Sequence, residues 1–272
     1  MTSRTAVAVV QLAVYLILLP LILYLLYSHG KRGILGYLYL FLFCTLQIIS
    51  GGLQIADPTS TTAAILSSVG LSPLLLGLAG LLHEAHTYLS PQNTIKAKLG
   101  WAFQLLLHMV TIAAIALIAV GTADLSDDAG TSKYHKDLTH RKVGSILLLL
   151  AFLAIVAHAA WVFLNYRSRR NTLAQKLLYS TIPTLPVIFA RLVYTLIYSF
   201  ASPTSHTFRA LSPATASIAI RVIFIFLLPL LAVLSLIVGG MVSRKLPRNG
   251  GGRIQSDEGD RGNDELQNFG HK

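Results

Sequence analysis

Two carboxylates and two guanidinium groups stand where an apolar chain places charge only with a reason, since an ionised side chain inside a bilayer costs at least ~2.5–3.5 kcal/mol. Glu84 lies in the run His83-Glu84-Ala85-His86, and Asp57 sits just past an apolar stretch. A carboxyl at Glu84 can act as an acid. Arg191 and Arg221 can hold a carbonyl or anionic oxygen through planar, forked donors. Around them, spacing of three and four residues sets polar groups on shared helix faces. One face carries Gln47, Ser50, Gln54 and Asp57, and another carries Ser180, Thr184, Arg191, Tyr194 and Tyr198. Gln11, Tyr15, Ser68 and Ser72 fall at a similar level. These stripes can converge on one polar cavity for a small molecule. The competing reading is structural: Asp57 and backbone carbonyls satisfy Arg191 and Arg221, which then hold helices together.

The histidines give weaker signals. His83 and His86 are three residues apart, not the four that the zinc motif His-Glu-x-x-His needs to put both on one helix face. They can still reach one ion, but no third ligand is evident, so no metal is assigned. His108, beside Gln104 and Thr111, and His158 offer one facing pair, where a haem needs two axial ligands. Polar contact between helices is the plainer role for both. No lysine lies in an apolar span, which excludes a retinal Schiff base. Nucleotide-binding glycine loops and the Gly-x-Ser-x-Gly elbow are absent. No cofactor is therefore expected.

The elements that must position these groups follow from composition. Of 272 residues 54% are apolar and 12% charged, against about 45–50% and about 25% in a soluble domain. So few charges cannot cover a soluble surface of this size. Cys44 is the single cysteine, so no internal disulfide forms. About 20 apolar residues cross the hydrocarbon core, and seven stretches qualify: Thr5–Tyr27, Ile34–Ile55, Thr62–Leu82 with an extension to Tyr88, Leu99–Val120, Val143–Leu164, Leu177–Phe200 and Pro213–Val242. Unpaired backbone is too costly in lipid for anything but helices here, since the period-two alternation of a barrel is missing. The expected fold is an all-α polytopic bundle of seven transmembrane helices over residues 1–246, with a disordered polar cytoplasmic tail over 247–272.

Orientation follows the lysine and arginine bias. With the N-terminus outside and the C-terminus cytoplasmic, inner segments hold 14 of these residues and outer segments six. Tyr24, Tyr27, Tyr37, Trp101, Trp161 and Tyr179 then fall at inner helix ends as interfacial anchors. The net charge of +11 thus reads as topology, with the lipid bilayer and a small lipophilic molecule as partners and no nucleic acid. In this frame Arg191 lies about 21 Å above the inner end of span six, and Arg221 about 12 Å below the outer end of span seven. Those depths nearly coincide in a ~30 Å core. Pro183, Pro186 and Pro229 predict bends around them.

Three stretches resemble a family of fungal seven-helix membrane proteins of unknown function. They are Val10–Leu26, Leu46–Pro73 with its Gln-Ile-Ile-Ser-Gly-Gly-Leu-Gln-Ile-Ala core, and Ala190–Phe200. In size the chain is also similar to the integral-membrane terpene cyclases of fungal meroterpenoid pathways. The resemblance implies a role in secondary metabolism, and the cyclases use intramembrane carboxylates, for which this chain offers Glu84 and Asp57. Two classes of function follow: an acid-initiated isoprenoid cyclase, or a non-catalytic metabolite binder acting in transport, resistance or sensing.

Overall fold

The computed structural model describes residues 3–57, 60–89, 94–123, 132–166, 172–200, 219 and 221–243. All regular structure among them is helical. The elements are α1 (Ser3–Ala56), α2 (Thr61–Val69), α3 (Leu71–Leu89), α4 (Thr94–Ala123), α5 (Ser132–Tyr166), α6 (Thr172–Thr181), α7 (Thr184–Phe200), then a π-helical segment Arg221–Leu227 that runs into α8 (Leu228–Ser243). Six stretches are long and apolar enough to cross a membrane: Thr5–Gly30, Gly33–Ala56, Gly100–Thr122, Ser132–Asn165, Gln175–Phe200 and Val222–Ser243.

The first two of these are the arms of α1, which folds back on itself at Gly30. Gly30 has φ 62° and ψ −150°, a region essentially reserved for glycine. The arms then run antiparallel: Gln11 Nε2 donates to Gln47 Oε1 at 2.9 Å, and the Tyr15 ring meets Phe43 edge-on at 5.6 Å. Gly30→Ala is expected to destabilise the bundle by about 1–3 kcal/mol, read as a lower unfolding midpoint in detergent; an unchanged midpoint would mean the turn tolerates a side chain.

The remaining predicted span, Thr62–Leu82, is a broken helix. Pro73 has no N–H and its ring crowds the carbonyl four residues back. The chain therefore stops at Val69, turns at Gly70 and restarts as α3. Every residue from Gly70 to Leu82 is buried, as expected of a segment apolar all round. α3 is the central post of the bundle, and α1, α4, α5, α6 and α8 pack against it. Closest is the second arm of α1, where a Cβ on Gly80 would stand 2.7 Å from Gly36 N and 2.8 Å from Gly36 Cα.

The backbone departs from regular α-helix close to two of the three prolines, Pro183 and Pro229. Span six breaks at Ile182–Pro183 between α6 and α7, and the carbonyl of Ser180 is taken instead by the hydroxyls of Thr184 at 3.1 Å and Ser235 at 2.9 Å. Hydroxyls commonly satisfy groups that a membrane-helix break sets free. Span seven is π-helical until Leu227, just ahead of Pro229. Pro186 lies in the first turn of α7, where proline is tolerated. Span five differs from expectation at its start: α5 begins at Ser132 rather than Val143, so the stretch ahead of the predicted span is helix too. The tail 247–272 and the N-terminal end of span seven lie outside the described residues.

Candidate functional site

The polar group with the most constrained surroundings is a pair that only tertiary folding creates. Glu84 approaches the end of α3, and His29 is the last residue before the α1 turn. His29 Nδ1 lies 2.9 Å from Glu84 Oε1, and the two side chains are 1% and 0% exposed. The other ring nitrogen, Nε2, is 3.0 Å from the carbonyl of Gly240 on α8. A carbonyl accepts and never donates, so Nε2 carries a hydrogen. One proton is then shared between Nδ1 and Oε1, as imidazolium and carboxylate or as imidazole and carboxylic acid. Tyr37 stands beside the ring, its centroid 4.7 Å away and its oxygen 3.5 Å from Nε2. Gly33 makes room: a Cβ there would lie 3.0 Å from Glu84 Oε2 and 3.2 Å from Oε1. Oε2 is buried and accepts no hydrogen bond among the described residues, a costly condition for a carboxylate.

His29 is absent from the residues that spacing singled out, and Tyr37 is no interfacial anchor. It is fully buried, whereas Tyr24, Tyr27, Trp101, Trp161 and Tyr179 are exposed. At the same end of the bundle, His86 meets His158 and Trp161 edge-on at 5.4 and 5.2 Å, and His158 stacks on Phe103 at 5.1 Å. His108 is elsewhere, bonded to the carbonyl of Gln104 at 2.7 Å and packed on Tyr39 at 5.1 Å. Among the described residues no group of three or more His, Cys, Asp or Glu is placed to hold a metal ion.

Apart from Ser180, which packs against Gly239 beside the His29 partner Gly240, the predicted stripes occupy the other half. Gln47 accepts from Gln11, Ser50 Oγ donates to the carbonyl of Ala63 at 3.0 Å, and Gln54 Nε2 donates to Ser50 Oγ at 3.2 Å. Gln47 therefore joins the two α1 arms, Ser50 joins α1 to α2, and Gln54 braces Ser50 along the same arm. Asp57, beyond the end of α1, is exposed and has no apolar enclosure. Arg191 is 3% exposed, with its guanidinium 5.2 Å from the Tyr194 ring centre. Tyr194 stacks on Phe224 at 5.2 Å, and Phe226 of the same π-helical segment meets Tyr15 at 6.3 Å. The Tyr15 hydroxyl, fully buried and within electrostatic reach of Arg191, has no hydrogen-bond partner among the described residues. Tyr198 belongs to a separate group, beneath the guanidinium of Arg141 at 4.9 Å. The side chains of Arg221 and Ser68 lie outside the described residues.

A second missed feature is the buried stripe Tyr134, Asp137, Arg141, Ser145, Leu148 on α5. Its three- and four-residue spacing is a helix signal inside what reads by composition as a loop. No curated protein and no solved structure matches the chain. Over residues 1–246 it matches the family described as "Domain of unknown function (DUF7702)", and the chain belongs to that family.

Proposed function

We propose that this multi-pass membrane protein holds a small lipophilic metabolite within its bundle and transforms it by proton donation from Glu84, as an acid-initiated isoprenoid cyclase of a fungal secondary-metabolite pathway. The observation that carries the reading is the Glu84 carboxyl, shut off from solvent, with Oε1 held by His29 and Oε2 unengaged. A proton leaving the carboxyl forms a new C–H bond at a substrate alkene, or an O–H bond at an epoxide. The carbocation that follows ring closure loses a proton, which restores the acid. Hydrogen bonding from His29 steadies the carboxylate in between. Asp57, exposed at the end of α1, does not suit this role, because water there would quench a cation. Tyr15 beside Arg191 supports a place for a substrate oxygen in the other half.

The test is expression with prenylated candidate substrates, followed by product analysis. Glu84→Gln is expected to lower turnover at least ~100-fold, and Asp57→Asn to leave it near wild type. Equal turnover by Glu84→Gln and wild type would end the acid reading. Retained binding with no conversion by the wild type would favour the non-catalytic binder.

The lysine and arginine bias of 14 to six further supports an outside N-terminus and a cytoplasmic C-terminus. A reporter after Lys272 is expected in the cytoplasm and one before Thr2 on the far side. Finding both on one side would leave an even number of crossings.

A further inference from the structure

At the end of the bundle opposite Glu84, α5 carries two opposite charges indoors. Asp137 is 4% and Arg141 6% exposed, one helical turn apart on the buried face. Gly121 on α4 lets that face approach: a Cβ there would lie 2.7 Å from Arg141 N and 3.1 Å from Arg141 Cβ. Arg141 Nη2 donates to the carbonyls of Tyr198 at 3.2 Å and Ser199 at 3.3 Å, at the C-terminus of α7, where a cation also complements the helix dipole. Ser145 and Ser199 join the same helices through their hydroxyls, 2.5 Å apart. The guanidinium is thus fixed. Yet among the described residues Arg141 Nε–H donates to nothing, Asp137 Oδ2 accepts nothing, and the two residues form no ion pair with each other.

An acceptor and a donor, both buried and both idle within one turn of helix, call for a group that can answer each of them. The pair is electrically neutral, so an added anion would face Asp137 and an added cation Arg141, each at a cost. A hydroxyl meets both demands without charge. The same two helices carry exposed apolar side chains, Val143 and Ile146 on α5 and Ile197 and Phe200 on α7, with Lys142 Nζ 5.4 Å from the Phe200 ring centre. We propose that Asp137 and Arg141 form a binding site for the hydroxyl of a lipophilic alcohol, which accepts from Arg141 Nε and donates to Asp137 Oδ2 while its chain lies along the α5–α7 seam. This site is separate from Glu84 and independent of the acid reading.

The test uses the full chain in detergent, with farnesol compared against farnesene, which has the same chain without the hydroxyl. Farnesol is expected to raise the unfolding temperature and to saturate at least tenfold tighter than farnesene. Asp137→Leu, which removes the idle acceptor, is expected to fold and to bind the two equally. Dioleoylglycerol binding as farnesol does would identify a membrane lipid as the source of the hydroxyl; farnesol alone would identify a metabolite. Farnesol and farnesene acting alike on the wild type, or farnesol binding undiminished by Asp137→Leu, would overturn the proposal and leave the gap to water.

Discussion

Gly80→Ala is expected to destabilise the bundle by about 1–3 kcal/mol, while the same exchange at Gly52 is expected to stabilise it by about 0.5–1 kcal/mol. Both glycines are helical, so alanine gains helix propensity at either. At Gly52 a Cβ meets nothing within 4 Å, and the gain stands alone. At Gly80 it meets the N and Cα of Gly36 and the carbonyl carbon of Leu35. Those are backbone atoms with no rotamer to retreat into, so α3 and the second arm of α1 must move apart. Thermal unfolding of the two variants in one detergent makes the comparison. Shifts of the same sign would mean that the central post is not held by glycine contact.

His29→Leu is expected to cost about 3–5 kcal/mol, because it leaves a buried carboxyl without its partner. The double change His29→Leu with Glu84→Leu is expected to recover most of that loss, since an apolar pair carries no desolvation cost. The same denaturation assay reads both, with Glu84→Leu completing the cycle. If the double variant is as damaged as His29→Leu alone, the imidazole matters through its bond to Gly240 or its contact with Tyr37 and not through Glu84.

The spans were legible because hydropathy is a sum over neighbours in sequence, and the bends because proline acts on its own turn. Glu84 was legible as a lone acid in an apolar chain. His29 was not, although it decides what Glu84 can do: its partners stand 55 and 211 residues away, and a histidine at a span end reads as interfacial until the α1 turn at Gly30 folds it inward. Tyr37 was misplaced for the same reason. Gln47, Ser50 and Gln54 lie on a shared face as their spacing requires, but spacing does not tell whether a face meets a ligand or another helix, and their hydrogen bonds run to Ala63, Gln11 and one another. Asp137 and Arg141 escaped notice because a composition full of charge conceals the stripe that buries two of them.

The central position of α3 also imposes an order in time. Its lower end carries His83, Glu84 and His86, so it falls short of the apolarity that marks the six other stretches. It emerges from the ribosome after α1 but before α6 and α8, which complete its enclosure. Until they arrive, the α1 hairpin is its main shelter, and Glu84 waits beside His29 without the α8 carbonyl that fixes the imidazole. A chain arrested after α5 would therefore hold a half-built post, the state in which quality-control factors that survey membrane helices for stray charge would find this protein most vulnerable.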